Sequence, residues 1–233
     1  MRINGFSGVS LLDYPDKICS IIFTSPCNFK CPFCHNIFLI EINENTIDEK
    51  TILFEIERRK NFIEALTITG GEPTLQNDLE DFLNKIKKLN LKVKLDTNGY
   101  LPEKLERIIK ANLIDYISMD IKSSPEKYSL ACGVKIDFER IKKSVEIIMN
   151  SKIEYEFRTT CVPGLVNAED VMKICEIIKG AEFYVLQQYN NTNALTEPYR
   201  KILPYSEQQI KEFVKIAEKF VKKVKIQNIS KVA

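Results

Sequence analysis

An alternation constrains this chain's fold most. Short apolar, β-prone runs occupy residues 18–23, 65–69, 93–96, 116–121, 155–160 and 183–188, with 224–226 available as a short last strand. Between them, apolar residues recur at three- and four-residue spacing, as on one face of a helix. Leu53, Ile56 and Phe62 follow a capping-box pair, Thr46 and Glu49. Leu79, Phe82, Leu83, Ile86 and Leu89 come next, then Leu105, Ile108 and Ile109 behind Pro102. Phe138, Ile141, Val145 and Ile148 form a further face. Asn167 can cap a helix bearing Val171, Ile174 and Ile178, and Ser206 with Gln209 one bearing Ile210, Phe213, Ala217 and Phe220. Six strand–helix units imply a parallel sheet with right-handed crossovers. Six is fewer than the eight of a closed barrel. The expected fold is α/β: an open, partial (β/α)6 barrel of parallel strands with helices outside. A doubly wound sheet is the alternative. No Gly/Ser linker interrupts the pattern, so residues 1–233 read as a single domain, with 1–16 a short lead-in carrying a turn at Asp13-Tyr14-Pro15-Asp16.

A second feature is chemical. Cys27, Cys31 and Cys34, spaced Cys-x3-Cys-x2-Cys, follow the first predicted strand directly. Three thiolates on one short loop can converge on one metal centre, but iron–sulfur clusters are normally held by four. Either a 4Fe–4S cluster keeps one iron open here, or zinc is held by the three cysteines and His35. His35 adjoins Cys34, which makes joint ligation of one zinc ion awkward. A chain of 233 residues does not need metal merely to fold. The odd count of 7 cysteines argues against a secreted disulfide framework and for a reducing cytoplasm.

Other features exclude function classes. A net charge of +2, from 34 basic and 32 acidic residues, gives no footprint for nucleic acid. No apolar run approaches a membrane span, and the N-terminus lacks a signal-peptide core.

Unusual residues cluster where strands are predicted to end. Gly70-Gly71-Glu72-Pro73, Asp96-Thr97-Asn98-Gly99, Asp120-Ile121-Lys122, Arg158 and 187–190 join the cysteine loop there. In parallel barrels such ends build the active site. Each group has an ordinary structural reading beside the functional one. Gly70 and Gly71 suit a tight turn or close approach to a ligand. Asp120 and Lys122 share a strand face and can pair internally. Asp96 and Thr97 can cap a strand end. Arg158 can neutralise a ligand carboxylate or a protein one. Cys19 and Cys175 fit buried positions, and Cys132 and Cys161 fall on predicted loops.

The cysteine spacing, with Phe33 before Cys34, and Gly70-Gly71-Glu72-Pro73 after the next strand, resembles the radical S-adenosylmethionine (SAM) superfamily. Cys34-His35-Asn36, Asp96-Thr97-Asn98-Gly99, Asp120-Ile121-Lys122 and Val162-Pro163-Gly164 resemble, in this order, the activating enzymes of glycyl radical enzymes. The lead-in through Asp13-Tyr14-Pro15 is similar to activators of anaerobic ribonucleoside-triphosphate reductase. The resemblance implies one 4Fe–4S cluster on Cys27, Cys31 and Cys34, its open iron chelating the amino and carboxylate groups of SAM. It implies reductive cleavage to methionine and a 5′-deoxyadenosyl radical, which removes a hydrogen atom. It further implies cofactor contacts from Phe33, Cys34, His35, Gly70, Gly71, Glu72, Asp96, Thr97, Asp120, Ile121, Lys122, Arg158, Tyr189 and Asn190. Gly70–Glu72 would meet the amino group, Lys122 the carboxylate and Asp120 the ribose. Asp96 and Thr97 lie where some members bind a monovalent cation. Some relatives carry His at the place of Asn190. No catalytic side chain beyond cluster and cofactor is implied, and the hard chemistry belongs to the cofactors.

Three functions follow. The first is an activase that installs a glycyl radical in a partner such as anaerobic ribonucleotide reductase, with ferredoxin or flavodoxin as electron donor. The second is a radical SAM enzyme acting on a small molecule. The third is a non-enzymatic metal-binding or electron-transfer module.

Overall fold

The computed structural model describes residues 1–227. It divides into two compact units. One comprises Met1–Asn28, Phe38–Ser118 and Asn150–Glu154, the other Phe29–Ile37, Met119–Met149 and the chain from Tyr155 onward.

The first unit holds strands β1 (Ile3–Ser10), β2 (Cys19–Thr24), β3 (Ala65–Gly70) and β4 (Lys92–Thr97), the opening of β5 (Tyr116–Asp120), and helices α1 (Glu49–Arg59), α2 (Leu79–Lys87) and α3 (Pro102–Lys110). Strands neighbour one another in chain order. β2, β3 and β4 are parallel. β2 and β3 are buried on both faces, as parallel strands covered by helices must be, whereas β4 carries Lys92, Lys94 and Asp96 between its apolar residues. Register brings Thr24 opposite Gly70, so the cysteine loop and the double-glycine turn leave the sheet at one level.

Two local expectations change here. The lead-in contains β1, antiparallel to β2. Its sequence, Ile-Asn-Gly-Phe-Ser-Gly-Val-Ser, is poor in strand formers and lacks clean alternation. What makes it a strand is the edge of β2, whose backbone groups need partners. Helix α1 is capped not by Thr46 but by Asp48, whose carboxylate accepts from the Lys50 and Thr51 amides. Phe62 lies beyond the end of that helix and is exposed.

The second unit holds the close of β5, helices α4 (Tyr128–Cys132) and α5 (Phe138–Met149), strand β6 (Glu154–Cys161) from Tyr155, α6 (Ala168–Ile177), β7 (Tyr184–Gln188), the short α7 (Glu197–Arg200), α8 (Glu207–Ala217) and β8 (Val224–Gln227). β6, β7 and β8 are parallel. Capping boxes form at Asn167 with Asp170 and at Ser206 with Gln209. Cys132 and Cys161, expected on loops, end α4 and β6 and are fully buried. Burial pushes the Cys161 thiol up to about 12, and does the same at Cys175. Cys19 and Cys175 are buried as expected. Among the described residues, no helix is long and apolar enough to cross a membrane. The class is α/β, with open, mostly parallel strands alternating with helices.

Candidate active site

In the first unit the chain leaving β2 lies against the turn leaving β3. Gly71 N–H donates to the Thr24 carbonyl at 2.7 Å, and Glu72 N–H to the Pro26 carbonyl at 3.0 Å. The glycines answer to this contact. Gly70 has φ +119°, and a Cβ there would lie 2.4 Å from the Thr24 nitrogen. A Cβ on Gly71 would lie 2.6 Å from the Pro26 carbonyl oxygen. Both approaches are to the protein's own backbone, so the turn needs glycine whether or not a ligand is near.

Glu72 is fully buried and ties that turn to the one after β4. Its carboxylate accepts from Thr74 N–H at 3.0 Å, Thr74 Oγ1 at 2.5 Å, Thr97 Oγ1 at 2.8 Å and Asn98 N–H at 2.7 Å. Burial pushes its pKa above the ordinary value, against the pull of those four donors. Asn98 Nδ2 in turn donates to Asn28 Oδ1 in the cysteine loop at 2.7 Å. Thr97 also accepts from Gly99 N–H at 3.1 Å. Asp96 takes an ion pair at 2.5 Å from Lys94, buried two residues earlier on the same strand face. Cys27 is anchored by its N–H to the Ile40 carbonyl at 3.0 Å.

In the second unit Cys34 N–H donates to the Cys31 carbonyl at 2.9 Å, which folds the loop into a tight turn. Phe33 is buried. His35 Nε2 lies 2.6 Å from the Asn190 carbonyl oxygen. A carbonyl can only accept, so Nε2 carries the proton there. The His35 ring stacks on Tyr189, centroids 6.4 Å apart and planes at 21°. Sequence resemblance named all three residues, and the structure joins them. The Tyr189 hydroxyl donates to the Tyr199 carbonyl, and Asn190 Oδ1 accepts from Thr192 N–H and Oγ1.

Asp120, Lys122 and Arg158 form one ionic group. Lys122 Nζ lies 2.9 Å from Asp120 Oδ2 and Arg158 Nε 2.7 Å from Oδ1. Burial would raise the Asp120 carboxyl, but Arg158 and Lys122 outweigh it and hold the pKa well below the carboxylate range. Burial would lower Lys122, but Asp120 and then Cys31 raise it above its ordinary value. Lys122 and Arg158 thus share one carboxylate, each on a different oxygen. Between them, Ile121 N–H donates to the Arg158 carbonyl at 2.8 Å. The thiols diverge. Cys31 is held below its ordinary value, first by a hydrogen bond from Cys132 and then, against burial, by Lys122. Burial raises Cys34.

None of the seven cysteines is in a disulfide. Among the described residues, no three His, Cys, Asp or Glu side chains close round a single point as about one metal ion would require. A cubane asks for something else, since each thiolate takes a different iron. The donor set suits one: cysteine thiolates are the ligands such clusters use. SAM's amino-acid end needs acceptors for its ammonium and a cation for its carboxylate. Backbone carbonyls and the side chains of Lys122 and Arg158 are groups of those kinds.

Sequence reasoning passed over Thr74 and Lys94, and placed Cys132 on a loop without relating it to Cys31. Thr74 and Lys94 each sit two residues from a named carboxylate, which was the available signal. Nothing in the sequence relates Cys132 to Cys31.

Residues 21–178 match the model of the Radical SAM superfamily. The chain belongs to that superfamily. A relative from Methanocaldococcus jannaschii, provisionally named a glycyl-radical enzyme activating enzyme, is 35% identical over 235 residues, 98% of this chain and 96% of its own length. A second protein of that organism with the same provisional name is 29% identical over 87% of this chain and 80% of its own. A protein of Saccharolobus islandicus, provisionally named GTP 3′,8-cyclase, is 31% identical over 161 residues, 67% of this chain and 51% of its own. Among solved structures, Streptococcus suis SuiB bound to precursor peptide SuiA aligns with TM-score 0.70 at 16% identity, and SuiB bound to S-adenosylmethionine with 0.65 at 17%. These alignments cover 89% and 88% of this chain but 48% and 49% of SuiB, about half its length. At such identity they show a shared fold. Superfamily membership implies a 4Fe–4S cluster and SAM.

Proposed function

We propose that this protein is an activating enzyme that cleaves SAM reductively and generates a glycyl radical on a partner enzyme, an anaerobic ribonucleoside-triphosphate reductase. The observation that carries this reading is the 35% identity to a provisionally named activase along nearly the whole of both chains. The lead-in ending at Asp13-Tyr14-Pro15 supports the reductase as partner. The chain acts as a single core domain in this reading.

When bound, the cluster and SAM supply one electron to the sulfonium and a radical able to remove a hydrogen atom. The protein's residues bind and orient. In the first unit Cys27 supplies a thiolate, and the Gly70–Glu72 backbone offers carbonyls to the ammonium. Glu72 itself braces the turn, since its oxygens are occupied by Thr74, Thr97 and Asn98. Asp96 and Thr97 are the candidates for a monovalent cation. In the second unit Cys31 and Cys34 supply thiolates beside Phe33. Lys122 and Arg158 attract the carboxylate, with Ile121 between them and Asp120 fixing their heads. His35, Tyr189 and the Asn190 backbone form a flat surface suited to a nucleoside. The electron comes from ferredoxin or flavodoxin.

A second reading, a radical SAM enzyme for a small molecule, has one observation in its favour: the 31% identity to the GTP 3′,8-cyclase homologue. One experiment separates them. Anaerobically reconstituted protein is mixed with dithionite, SAM and an anaerobic ribonucleotide reductase, and electron paramagnetic resonance is recorded. A glycine-centred doublet is expected, lost with Cys31→Ala together with 5′-deoxyadenosine release. Release of 5′-deoxyadenosine without the doublet supports the small-molecule reading. Tight zinc with no iron cluster removes both.

A further inference from the structure

Helix α4 ends in a contact that no sequence motif announces. Lys30 N–H donates to the Cys132 carbonyl at 2.8 Å. The next residue, Gly133, turns left-handed at φ +67°, and a Cβ there would lie 2.1 Å from the Lys30 carbonyl oxygen. Backbone therefore touches backbone on both sides of the pair, and any side chain at 133 would force the strands of this clamp apart. The residues flanking the clamp are Cys31 and Cys132. Both are buried, Cys132 completely. Their side chains hydrogen-bond, and the fully buried Tyr128, one turn earlier on α4, lies close enough to feel both sulfurs. Lys122 feels the same two sulfurs from the end of β5.

We propose that Cys132 is a positioning residue for the cluster ligand Cys31: held by the 30–133 backbone clamp, its S–H donates to the Cys31 sulfur and stabilises negative charge on that thiolate. This rests on the reading of Cys31 as a ligand. The thiol is a weak donor, but in a buried setting its acceptor is charged, which strengthens the bond. Hydrogen bonds to sulfur are one of the levers by which a protein sets a cluster's reduction potential. Reduction adds one electron and hence negative charge that spreads onto the thiolates. A donor at Cys31 therefore stabilises the reduced state more than the oxidised one. The electron comes from dithionite in the test below, no bond forms or breaks, and the proton stays on Cys132.

The test reconstitutes wild type, Cys132→Val, Cys132→Ala and Cys132→Ser with iron and sulfide under argon. Iron is counted, folding is checked by circular dichroism, and the midpoint potential is read by dithionite titration followed by electron paramagnetic resonance. Equal iron content is expected in all four. The potential should shift negative in Cys132→Val and Cys132→Ala, and the reduced-cluster g values should move with it. Cys132→Ser, which keeps a donor, should stay near wild type. Two apolar variants keep the result readable if one fails to fold. Equal potentials and g values throughout would overturn the proposal. So would loss of iron in the folded apolar variants, which would make Cys132 a ligand instead. Wild type that takes up no cluster overturns the underlying reading, and this proposal with it.

Discussion

Glu72 and Asp120 are both carboxylates removed from bulk water near strand ends, and their environments push them in opposite directions. Glu72 is 0% exposed and sees only neutral donors. Asp120 keeps 26% of its side chain exposed and sits between two cations. Burial lifts the first pKa, whereas Arg158 and Lys122 depress the second. Hydrogen bonds from neutral groups satisfy a buried carboxylate without repaying its lost hydration in full, whereas adjacent full charges can do so. Glu72 thus works as a brace, and Asp120 as the organiser of a cationic group.

The largest expected effect is at Asp120. Asp120→Asn removes the carboxylate that Lys122 and Arg158 share and should cost about 3 kcal/mol in denaturant unfolding at neutral pH. A change below about 0.5 kcal/mol would show that solvent already screens the group. Glu72→Gln comes next. It keeps one acceptor for Thr74 and Thr97 but sets an amide donor against Asn98 N–H, and should cost about 2 kcal/mol. No loss there would mean the two turns hold without their brace.

The pH dependence of these two losses should separate the sites by sign. Asp120 has a depressed folded pKa, so its contribution is full above the unfolded value of about 4 and disappears as pH falls through the folded one. The cost of Asp120→Asn should therefore shrink below about pH 4. Glu72 has a raised folded pKa, so the folded state gains stability as pH falls toward the unfolded value of about 4.3. The cost of Glu72→Gln should grow as pH falls from 7 toward that value. Parallel trends in the two variants would sink the comparison. The smallest effect expected is a control away from both sites. Ser206→Ala removes the α8 cap and should cost about 1 kcal/mol, with no effect on SAM cleavage.

The periodic elements were legible because their signals are local. Buried parallel strands such as Cys-Ser-Ile-Ile-Phe-Thr read as apolar runs, and the capping boxes at Asn167 and Ser206 lie within one helical turn. Strand β1 was not legible, because its pairing answers to the edge of β2 and not to its own residues. The cysteine spacing and the double glycine were visible, but the purpose of the glycines was not. That came from the backbone they touch.

By itself, then, the sequence determined the α/β alternation, the placing of unusual residues after strands, and the superfamily. Only the tertiary structure decided which charge each group meets. It joined Asp120 to Arg158, occupied Glu72 with four neutral donors, and put Cys132 against Cys31 across a hundred or so residues of chain. The reason is range. Propensity and periodicity act over a few residues, whereas pairing and desolvation depend on neighbours that only the folded chain supplies.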